Sequence, residues 1–461
     1  MRIFRVFFPA RVVTLLVSEI ALIFGFYCAA AYFTTETPDI FLFVDAGLVR
    51  IGVVTACIVG GFYLSDLYSE LRVRSKTRLV QQVCLVLGVA FLIQSLFGYL
   101  RLQDWALPKW MMISGSFLVL LVVPGWRVVY DRAVVSRKTR ETVLFLGASP
   151  VARMVAERLA ETPHFGLTVI GYLEDAPVSD DLPPGLLLGP ISHLRQVVAA
   201  LKPQHIIVGM TERRGRMPVQ DLLELRFSGI QVEDVLTAYE TVFGRVSVKD
   251  PHPSQLIFIR ELGPRPEIEF WRGLYSFALA LVGLLLFAPL MLLVAAAIRL
   301  TSKGPAFYRQ VRSGRNGAMF TLLKFRSMYQ GAEAKSGAVW ASPNDPRVTP
   351  LGRWLRLLRI DELPQLINVL RGEMMIVGPR PERPEFVKVL VQQNSYYTQR
   401  LAVKPGITGW AQINHKYGDT LEDALLKLEY DLYYIKNLNM TLDAYIMFQT
   451  FKVMILSRGA Q

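Results

Sequence analysis

Cysteine, histidine and charge are all scarce in this chain of 461 residues. It contains three cysteines and five histidines, and only 19% of its residues are charged. Cys28, Cys57 and Cys84 lie singly inside apolar runs, a pattern typical of neither a disulfide framework nor a zinc site. The sequence has no P-loop and no nucleic-acid-binding motif, although its net charge is +13. That charge therefore predicts anionic lipid or phosphorylated substrates as partners, and no nucleic acid.

Long apolar runs fill the first third of the chain. Four of them, at about 12–33, 41–64, 80–100 and 110–130, are each about 20 residues long, enough to cross a bilayer as a helix. Arginine and lysine concentrate before the first run, between the second and third, and after the fourth. By the positive-inside rule, residues 1–135 are predicted to form a four-helix transmembrane bundle with both ends in the cytoplasm. A cleaved signal peptide is the alternative for the first run, which is long for such a signal.

Residues 141–250 have the composition of an α/β protein. Apolar segments such as TVLFLG and HIIVGM alternate with helical segments such as SHLRQVVAALK. This alternation predicts a Rossmann-like domain, a parallel sheet covered by helices. Its first turn keeps Gly147 but has Ser149 and Ala152 in place of the later glycines of a dinucleotide-binding fingerprint. An ordinary strand–turn–helix corner and a degraded nucleotide site both stay open, and a regulatory or structural role is expected because the domain has no catalytic grouping.

A fifth apolar run, at about 274–298, is also long enough to span a membrane. A fifth crossing would place the basic region that follows it outside the cytoplasm. Activated nucleotide donors, which would suit such a basic region, are cytoplasmic. Pro289, preceded by Ala288, removes a helix hydrogen bond and forces a kink. Arg272 and Arg299 flank the two ends of the run. The sequence therefore predicts a re-entrant helix that bends near Pro289 and returns, and a kinked fifth span is the alternative.

The region after the fifth run is strongly basic. A hairpin is predicted there, and strand alternation in FTLLKFRSM places Lys324 and Arg326 on one side, where two cations can bind a diphosphate. A basic face near anionic lipid is an equal alternative. The segment LGRWLRLLR predicts an amphipathic helix with Arg353, Arg356 and Arg359 on its polar side.

Two adjacent acids, Asp361 and Glu362, follow this predicted helix directly. Pro364 suits the first position of the next helix, whose dipole would favour ionised carboxylates at its start. The upstream arginines favour ionisation too. Ionised acids suit a nucleophile or a Mg²⁺ ligand better than a general acid, and Asp431 is a candidate second ligand. A helix cap is the alternative interpretation of the pair.

Several motifs occur in order across this region: KFRSM, RIDELPQLINVLRGEM, VGPRPE, KPGITGWAQIN and YDLYYIKNL. Together they resemble the bacterial sugar transferases, which are polyprenyl-phosphate hexose-1-phosphate transferases of the monotopic phosphoglycosyl transferase superfamily. The N-terminal bundle and the degraded nucleotide-binding domain are similar to those of long members that prime exopolysaccharide synthesis. The resemblance implies that residues 268–461 form a re-entrant membrane helix and an α/β catalytic domain.

The resemblance also implies a two-step reaction at the cytoplasmic face of the bacterial inner membrane, carried out by a homodimer. Asp361 matches the nucleophile that attacks the β-phosphate of a UDP-sugar, expels UMP and forms an aspartyl-phosphosugar, which polyprenyl phosphate then accepts. Glu362 matches its Mg²⁺-associated partner. The candidate substrate-binding residues are Lys324, Arg326, Arg356, Arg359, Arg380 and Asp431.

Two positions depart from the family pattern. Ala288-Pro289 stands where the family often has Ser-Pro, so a hydroxyl that could help satisfy the broken helix is missing. His415-Lys416 stands where Gly-Arg is common, and Lys416 keeps the positive charge without a bidentate fork. His415 is expected to be a surface or packing residue, and the preference for a sugar stays open.

Two other functions fit parts of the sequence. One is a membrane-bound nucleotide sensor or scaffold whose C-terminal region has lost its chemistry, which the intact Asp361–Glu362 pair argues against. The other is direct glycosyl transfer to lipid, which would release UDP, whereas the two-step reaction releases UMP.

Overall fold

The computed structural model describes residues 2–3, 6–7, 10–68, 75–100, 105–135, 141–162, 165–175, 185–213, 215–248, 266–332, 345–415 and 420–455. The chain divides into two compact units. The first is Phe7–Val235, and the second is Leu236–Gln461 with Arg2–Val6. The predicted three-way division at 1–135, 141–250 and 268–461 stays a prediction.

Apolar helices make up the N-terminal part of the first unit. After the short strands β1 (Arg2–Ile3) and β2 (Val6–Phe7) come α1 (Ala10–Thr34), α2 (Pro38–Phe43), α3 (Gly47–Leu64), α4 (Lys76–Tyr99) and α5 (Lys109–Tyr130), which a π-helical turn follows (Asp131–Val135). Four of these helices, with one in the second unit, are the five in the described ranges that are long and apolar enough to cross a membrane. The helical character predicted from the apolar runs is therefore confirmed, and the number of crossings stays a prediction.

A buried ion pair joins two of these helices. Arg127 on α5 contacts Glu19 on α1, with 2.6 Å between Nε and Oε1. Arg127 also donates to the Leu67 carbonyl at 2.7 Å, and the Tyr68 hydroxyl donates to Glu19 at 2.7 Å. Because an unpaired charge is costly in an apolar interior, this network favours one register of α1 against α5.

A five-stranded parallel sheet forms the rest of the first unit. Its strands are β3 (Glu141–Leu146), β4 (Leu167–Leu173), β5 (Leu187–Gly189), β6 (His205–Val208) and β7 (Gln231–Asp234), in the order β5–β4–β3–β6–β7. The helices α6 (Pro150–Glu161), α7 (Leu194–Leu201) and α8 (Val219–Phe227) connect them. The central strand β3 is apolar throughout its buried part, as expected for a strand covered on both faces. The parallel sheet predicted from the strand–helix alternation is present.

The second unit combines a long apolar helix with short strands and helices. It contains α9 (Val235–Phe243, from Leu236 on), α10 (Pro266–Thr301), β8 (Phe307–Ser313), β9 (Met319–Phe325), α11 (Pro350–Leu357), α12 (Gln365–Leu370), β10 (Met375–Val377), α13 (Pro384–Gln393), β11 (Gly406–Thr408), α14 (Trp410–Asn414), α15 (Leu421–Lys436) and α16 (Met440–Ile455). Strands β8 and β9 form the predicted antiparallel hairpin, and β10 pairs with β11 in parallel.

Residues 236–248 pack inside the second unit, although they fall within the predicted middle domain at 141–250. The Tyr239 hydroxyl donates to the buried Glu429 carboxylate at 2.8 Å, and the Trp410 indole donates to the Gly244 carbonyl at 2.7 Å. Val246 and Val248 lie in the same core cluster as Trp410. This segment therefore completes the apolar core around α15.

The long helix α10 contacts the rest of the second unit along both of its halves. Ala280, in the first half, packs with Leu322 and Met374, and Ile298, near the end, packs with Phe325 and Leu355. The helix is continuous over 36 residues and passes through Pro289 without a break. Its remaining surface is strongly apolar and exposed, with Leu285, Leu286, Leu292 and Leu293 among the exposed side chains.

A buried ion pair anchors the start of α10. Arg272 and Asp443 are 1% and 0% exposed, and the Arg272 Nε donates to Asp443 Oδ2 at 2.7 Å. Arg272 also donates to the Val377 carbonyl at 2.8 Å, and the Tyr434 hydroxyl donates to Asp443 at 2.7 Å. One guanidinium thus ties α10, α16 and the end of β10 together.

We expect Asp443→Asn to destabilise the second unit by about 3–5 kcal/mol, because it leaves the buried Arg272 charge without its partner. The apparent melting temperature of the full chain in detergent measures this effect. Asp221→Asn is the matched control, because Asp221 pairs with an Arg195 side chain that is 61% exposed and screened by solvent. Equal, small shifts for the two variants would contradict the anchoring role of Asp443.

Candidate active site

The two adjacent acids lie in a short 3-10 turn, Ile360–Glu362, between α11 and α12. Arg359, which precedes the turn, has a φ of 54°, a left-handed conformation that is uncommon outside glycine and that separates α11 from the turn. The next helix begins only at Gln365, its preceding residue is Pro364, and no side chain caps it. The interpretation of the acids as a helix cap is therefore wrong.

Glu362 is held by three cations. Its Oε1 accepts from Arg380 Nη2 at 2.8 Å and from Lys324 Nζ at 3.1 Å, and its Oε2 lies 4.0 Å from Arg359 Nη1. Burial alone would raise the pKa of this carboxyl, but Arg380, Lys324 and Arg359 outweigh burial and hold the pKa below its usual range. Glu362 is consequently a carboxylate at neutral pH.

Asp361 responds differently to the same surroundings. Its side chain is 7% exposed, and burial raises the pKa of its carboxyl above the usual range. Lys324 opposes that rise, the charge of Glu362 adds to it, and Arg356 and Arg380 oppose it more weakly. The pKa of Asp361 therefore shifts in the direction opposite to the one expected from its cationic neighbours. The pair contains one fixed anion and one more basic carboxyl group.

Lys324 and Arg326 do not share a cationic face. Strand β9 ends at Phe325, so its alternation stops before Arg326. Lys324 reaches Glu362, whereas the Arg326 guanidinium donates to the Lys303 carbonyl at 2.6 Å and to the Ser302 carbonyl at 2.9 Å. The predicted shared face is wrong, because Arg326 is buried against the carbonyls that follow the end of α10.

The predicted arginine row on α11 is also shorter than expected. The helix ends at Leu357, so Arg359 lies outside it and reaches Glu362 from the left-handed position. Arg356, in the last turn, donates to the Ser327 hydroxyl at 2.9 Å and contributes positive charge near Asp361. Both arginines thus lie close to the acid pair, but on different backbone elements.

Asp431 lies on α15 and is ion-paired to Arg400, with 2.8 Å between Oδ2 and Nη2. Burial raises the pKa of the Asp431 carboxyl to about 6, although the Arg400 guanidinium opposes the rise. Arg400 also donates to the Arg380 carbonyl at 2.9 Å, so Asp431 is connected to the acid pair through these two arginines. No local sequence pattern predicts a role for Arg400, because its partner Asp431 is 31 positions away.

The structure describes one of the two residues at which His415-Lys416 departs from the family pattern. His415 Nε2 lies 3.1 Å from Asp423 Oδ1, and the ring stacks on Tyr430. This placement agrees with the packing role expected for His415. Lys416 lies outside the described residues.

Two carboxylates, Asp361 and Glu362, are the donors that the site offers to a metal. Within the described ranges, no group of three or more His, Cys, Asp or Glu side chains could hold a metal ion. Mg²⁺ usually keeps several waters and binds one or two carboxylates together with substrate phosphates. The donor set therefore fits a Mg²⁺ ion that arrives with its phosphorylated substrate.

Residues 268–457 match the family model of the bacterial sugar transferases. The chain is 41% identical over 232 residues to the UDP-N-acetylgalactosamine-undecaprenyl-phosphate N-acetylgalactosaminephosphotransferase of Aeromonas hydrophila, which covers 50% of this chain and 54% of the relative. It is 48% identical over 182 residues to the undecaprenyl-phosphate glucose phosphotransferase of Komagataeibacter xylinus, covering 38% of this chain and 34% of the relative.

A longer match extends into the first unit. The chain is 34% identical over 319 residues to the UDP-glucose:undecaprenyl-phosphate glucose-1-phosphate transferase of Klebsiella pneumoniae, which covers 68% of this chain and 67% of the relative. The matched part of the chain thus spans 54% and 34% of the length of the first two relatives and 67% of the length of this one. With its motifs in order around the acid pair and this extent of similarity, the chain belongs to the bacterial sugar transferase family.

Proposed function

We propose that the protein transfers a sugar-1-phosphate from a UDP-sugar to polyprenyl (undecaprenyl) phosphate, through an aspartyl-phosphosugar on Asp361, and releases UMP. The product would start an exopolysaccharide or another glycan on its lipid carrier. The observation that carries this proposal is the buried acid pair, in which Glu362 is held by Lys324, Arg359 and Arg380 while Asp361 is more basic. The printed names of the relatives, which cover glucose and N-acetylgalactosamine, support this class of substrates.

In the first step, a carboxylate oxygen of Asp361 attacks the β-phosphorus of the donor. The bond from that phosphorus to the bridging oxygen breaks, and UMP leaves with the electron pair. In the second step, a phosphate oxygen of polyprenyl phosphate attacks the same phosphorus, and the Asp361 carboxylate is released. Burial raises the pKa of the Asp361 carboxyl, and a more basic carboxylate is a stronger nucleophile.

The fixed cations account for the electrostatic part of the mechanism. Lys324 and Arg380 lie on different elements and meet at one carboxylate oxygen of Glu362, so their charges are in place before substrate arrives. Such preorganised charge stabilises a transferring phosphoryl group and a departing phosphate without reorganisation. Glu362 would hold a Mg²⁺ ion that arrives with the substrate, and the ion would supply further neutralisation of that charge.

We further propose that α10 is re-entrant and that the second unit lies at the cytoplasmic face of the inner membrane. Both halves of α10 pack against the second unit, at Ala280 and at Ile298, while the leucines between them are exposed. A helix that crosses the bilayer would leave one end on the face opposite the catalytic domain. Pro289, inside the helix, is the position at which a bend would form.

Asp361→Asn should abolish UMP release from a UDP-sugar, by roughly 10³-fold or more, because an amide cannot form the acyl phosphate. The protein should keep its elution volume and apparent melting temperature. Asp423→Asn, at an acid that contacts His415, is the matched control and should retain activity. Full activity of Asp361→Asn would refute the assigned nucleophile.

Glu362→Gln should raise the Mg²⁺ concentration that gives half-maximal UMP release by about 10-fold or more, because the amide loses the charge that attracts the ion. A Mg²⁺ titration of the variant beside wild type measures this. Glu422→Gln, on the exposed first turn of α15, should leave the titration unchanged. An unchanged titration in Glu362→Gln would remove this residue from the metal site.

If α10 is re-entrant, residues of both units should be accessible from the same side of the membrane. After the three native cysteines are replaced by serine, Gln220→Cys reports on the first unit and Gln392→Cys on the second, since both positions are exposed. An impermeant maleimide should label both cysteines only after cells are permeabilised. Labelling of Gln392→Cys alone in intact cells would establish a fifth crossing instead.

A further inference from the structure

The loop that presents Arg380 is held by its carbonyl groups. It follows β10 and contains the sequence GPRPE, in which Pro379 and Pro381 flank Arg380 and contribute no N–H donors. Donors from other elements bind the carbonyls of this segment. They are Arg272 at Val377 (2.8 Å), the Gly406 amide at Pro379 (2.9 Å), Arg400 at Arg380 (2.9 Å), Arg312 at Pro381 (2.9 Å) and the Ser313 amide at Glu382 (2.9 Å).

Two of the arginine donors, Arg400 and Arg312, bind consecutive carbonyls, those of Arg380 and Pro381. Arg400 is 5% exposed and pairs with Asp431, and it also donates to the Tyr397 hydroxyl. Arg312 lies on β8, where the Gln310 side chain accepts from its Nε at 3.0 Å. A guanidinium has five donors in a rigid fork, so each arginine can hold its acidic or amide partner and a loop carbonyl together.

This arrangement bears on the acid pair because Arg380 makes the shortest cationic contact to Glu362. Its Nη2 lies 2.8 Å from Oε1, whereas Lys324 Nζ lies 3.1 Å from the same oxygen and Arg359 Nη1 lies 4.0 Å from Oε2. A long arginine side chain keeps such a contact only when its backbone is fixed, and supporting residues commonly determine how well a site is ordered. The carbonyl contacts at Arg380 and Pro381 provide that fixation.

We propose that Arg400, held by Asp431, is a positioning residue for the transfer reaction, which together with Arg312 fixes the Arg380 backbone and so keeps the Arg380 guanidinium on Glu362. The inference rests on the proposed function. It gives Asp431 a role that runs through Arg400 and Arg380, in place of the direct metal contact expected from the sequence. It also explains why an acid that reaches the pair only indirectly is buried with an arginine.

A double-mutant cycle on kcat/KM for UMP release separates positioning from general stabilisation. Asp431→Asn alone should lower kcat/KM by about 10- to 100-fold, as is typical for the loss of a supporting contact. In an Arg380→Ala background, the same substitution should change kcat/KM by less than about 2-fold, because the group that it positions is gone. Effects that multiply in the double variant would overturn the proposal.

Two further variants sharpen the cycle. Arg400→Lys keeps the charge but has no fork to hold both Asp431 and a carbonyl, so it should behave like Asp431→Asn. Glu429→Gln is the matched control, because Glu429 is a buried acid on the same helix whose carboxylate pairs with Arg245 at 3.2 Å and accepts from the Tyr239 hydroxyl and the Val248 amide. It should lower the apparent melting temperature, and its effect on kcat/KM should multiply with that of Arg380→Ala.

Hydrogen exchange provides a readout that does not depend on activity. Asp431→Asn should speed exchange in the peptide 376–383, while the peptide that covers β8 and β9 stays protected. Unchanged exchange at 376–383 would overturn the positioning role, whether or not the protein is active. Failure of every UDP-sugar to yield UMP would count against the proposed function alone. If Asp431→Asn does not fold, Arg400→Lys carries both the cycle and the exchange measurement.

Discussion

Burial of two adjacent carboxylates among fixed cations is the constraint on which the second unit depends. A buried carboxylate is costly unless cations and donors compensate it, so Glu362 requires Lys324 and Arg380 at hydrogen-bonding distance. Those two cations come from a strand and from a proline-bounded loop that are far apart in the chain. Folding the hairpin, the turn and the loop against one another is therefore what creates the site.

The arginines of this unit divide into two kinds by what they contact. Arg380 and Arg359 face a carboxylate of the acid pair, where a substrate phosphate could compete for them. Arg272, Arg326 and Arg400 are buried and donate to main-chain carbonyls, those of Val377, Ser302 and Arg380 respectively. Some of the positively charged side chains of the chain thus stabilise the fold, and others provide positive charge at the acid pair. Composition alone does not distinguish these two groups.

Local patterns predicted the elements well, since apolar runs predicted helices and strand–helix alternation predicted a parallel sheet. The roles of Asp361 and Glu362 follow instead from the family motifs that surround them, and they stay a prediction. The errors came from non-local effects. Strand β9 ends one residue before Arg326, which then contacts the end of α10, and burial raises the pKa of Asp361 despite its cationic neighbours. Arg400 has no local signal, because its meaning depends on α15 and on the GPRPE loop.

The central claim is that Asp361 carries the phosphosugar between donor and acceptor. The most direct measurement is peptide mass spectrometry of the purified full chain, quenched after mixing with a UDP-sugar and Mg²⁺ in the absence of polyprenyl phosphate. The account predicts a sugar-phosphate adduct on the peptide that contains Asp361, and its disappearance when polyprenyl phosphate is added. UMP release without an adduct, or an adduct on another residue, would contradict it.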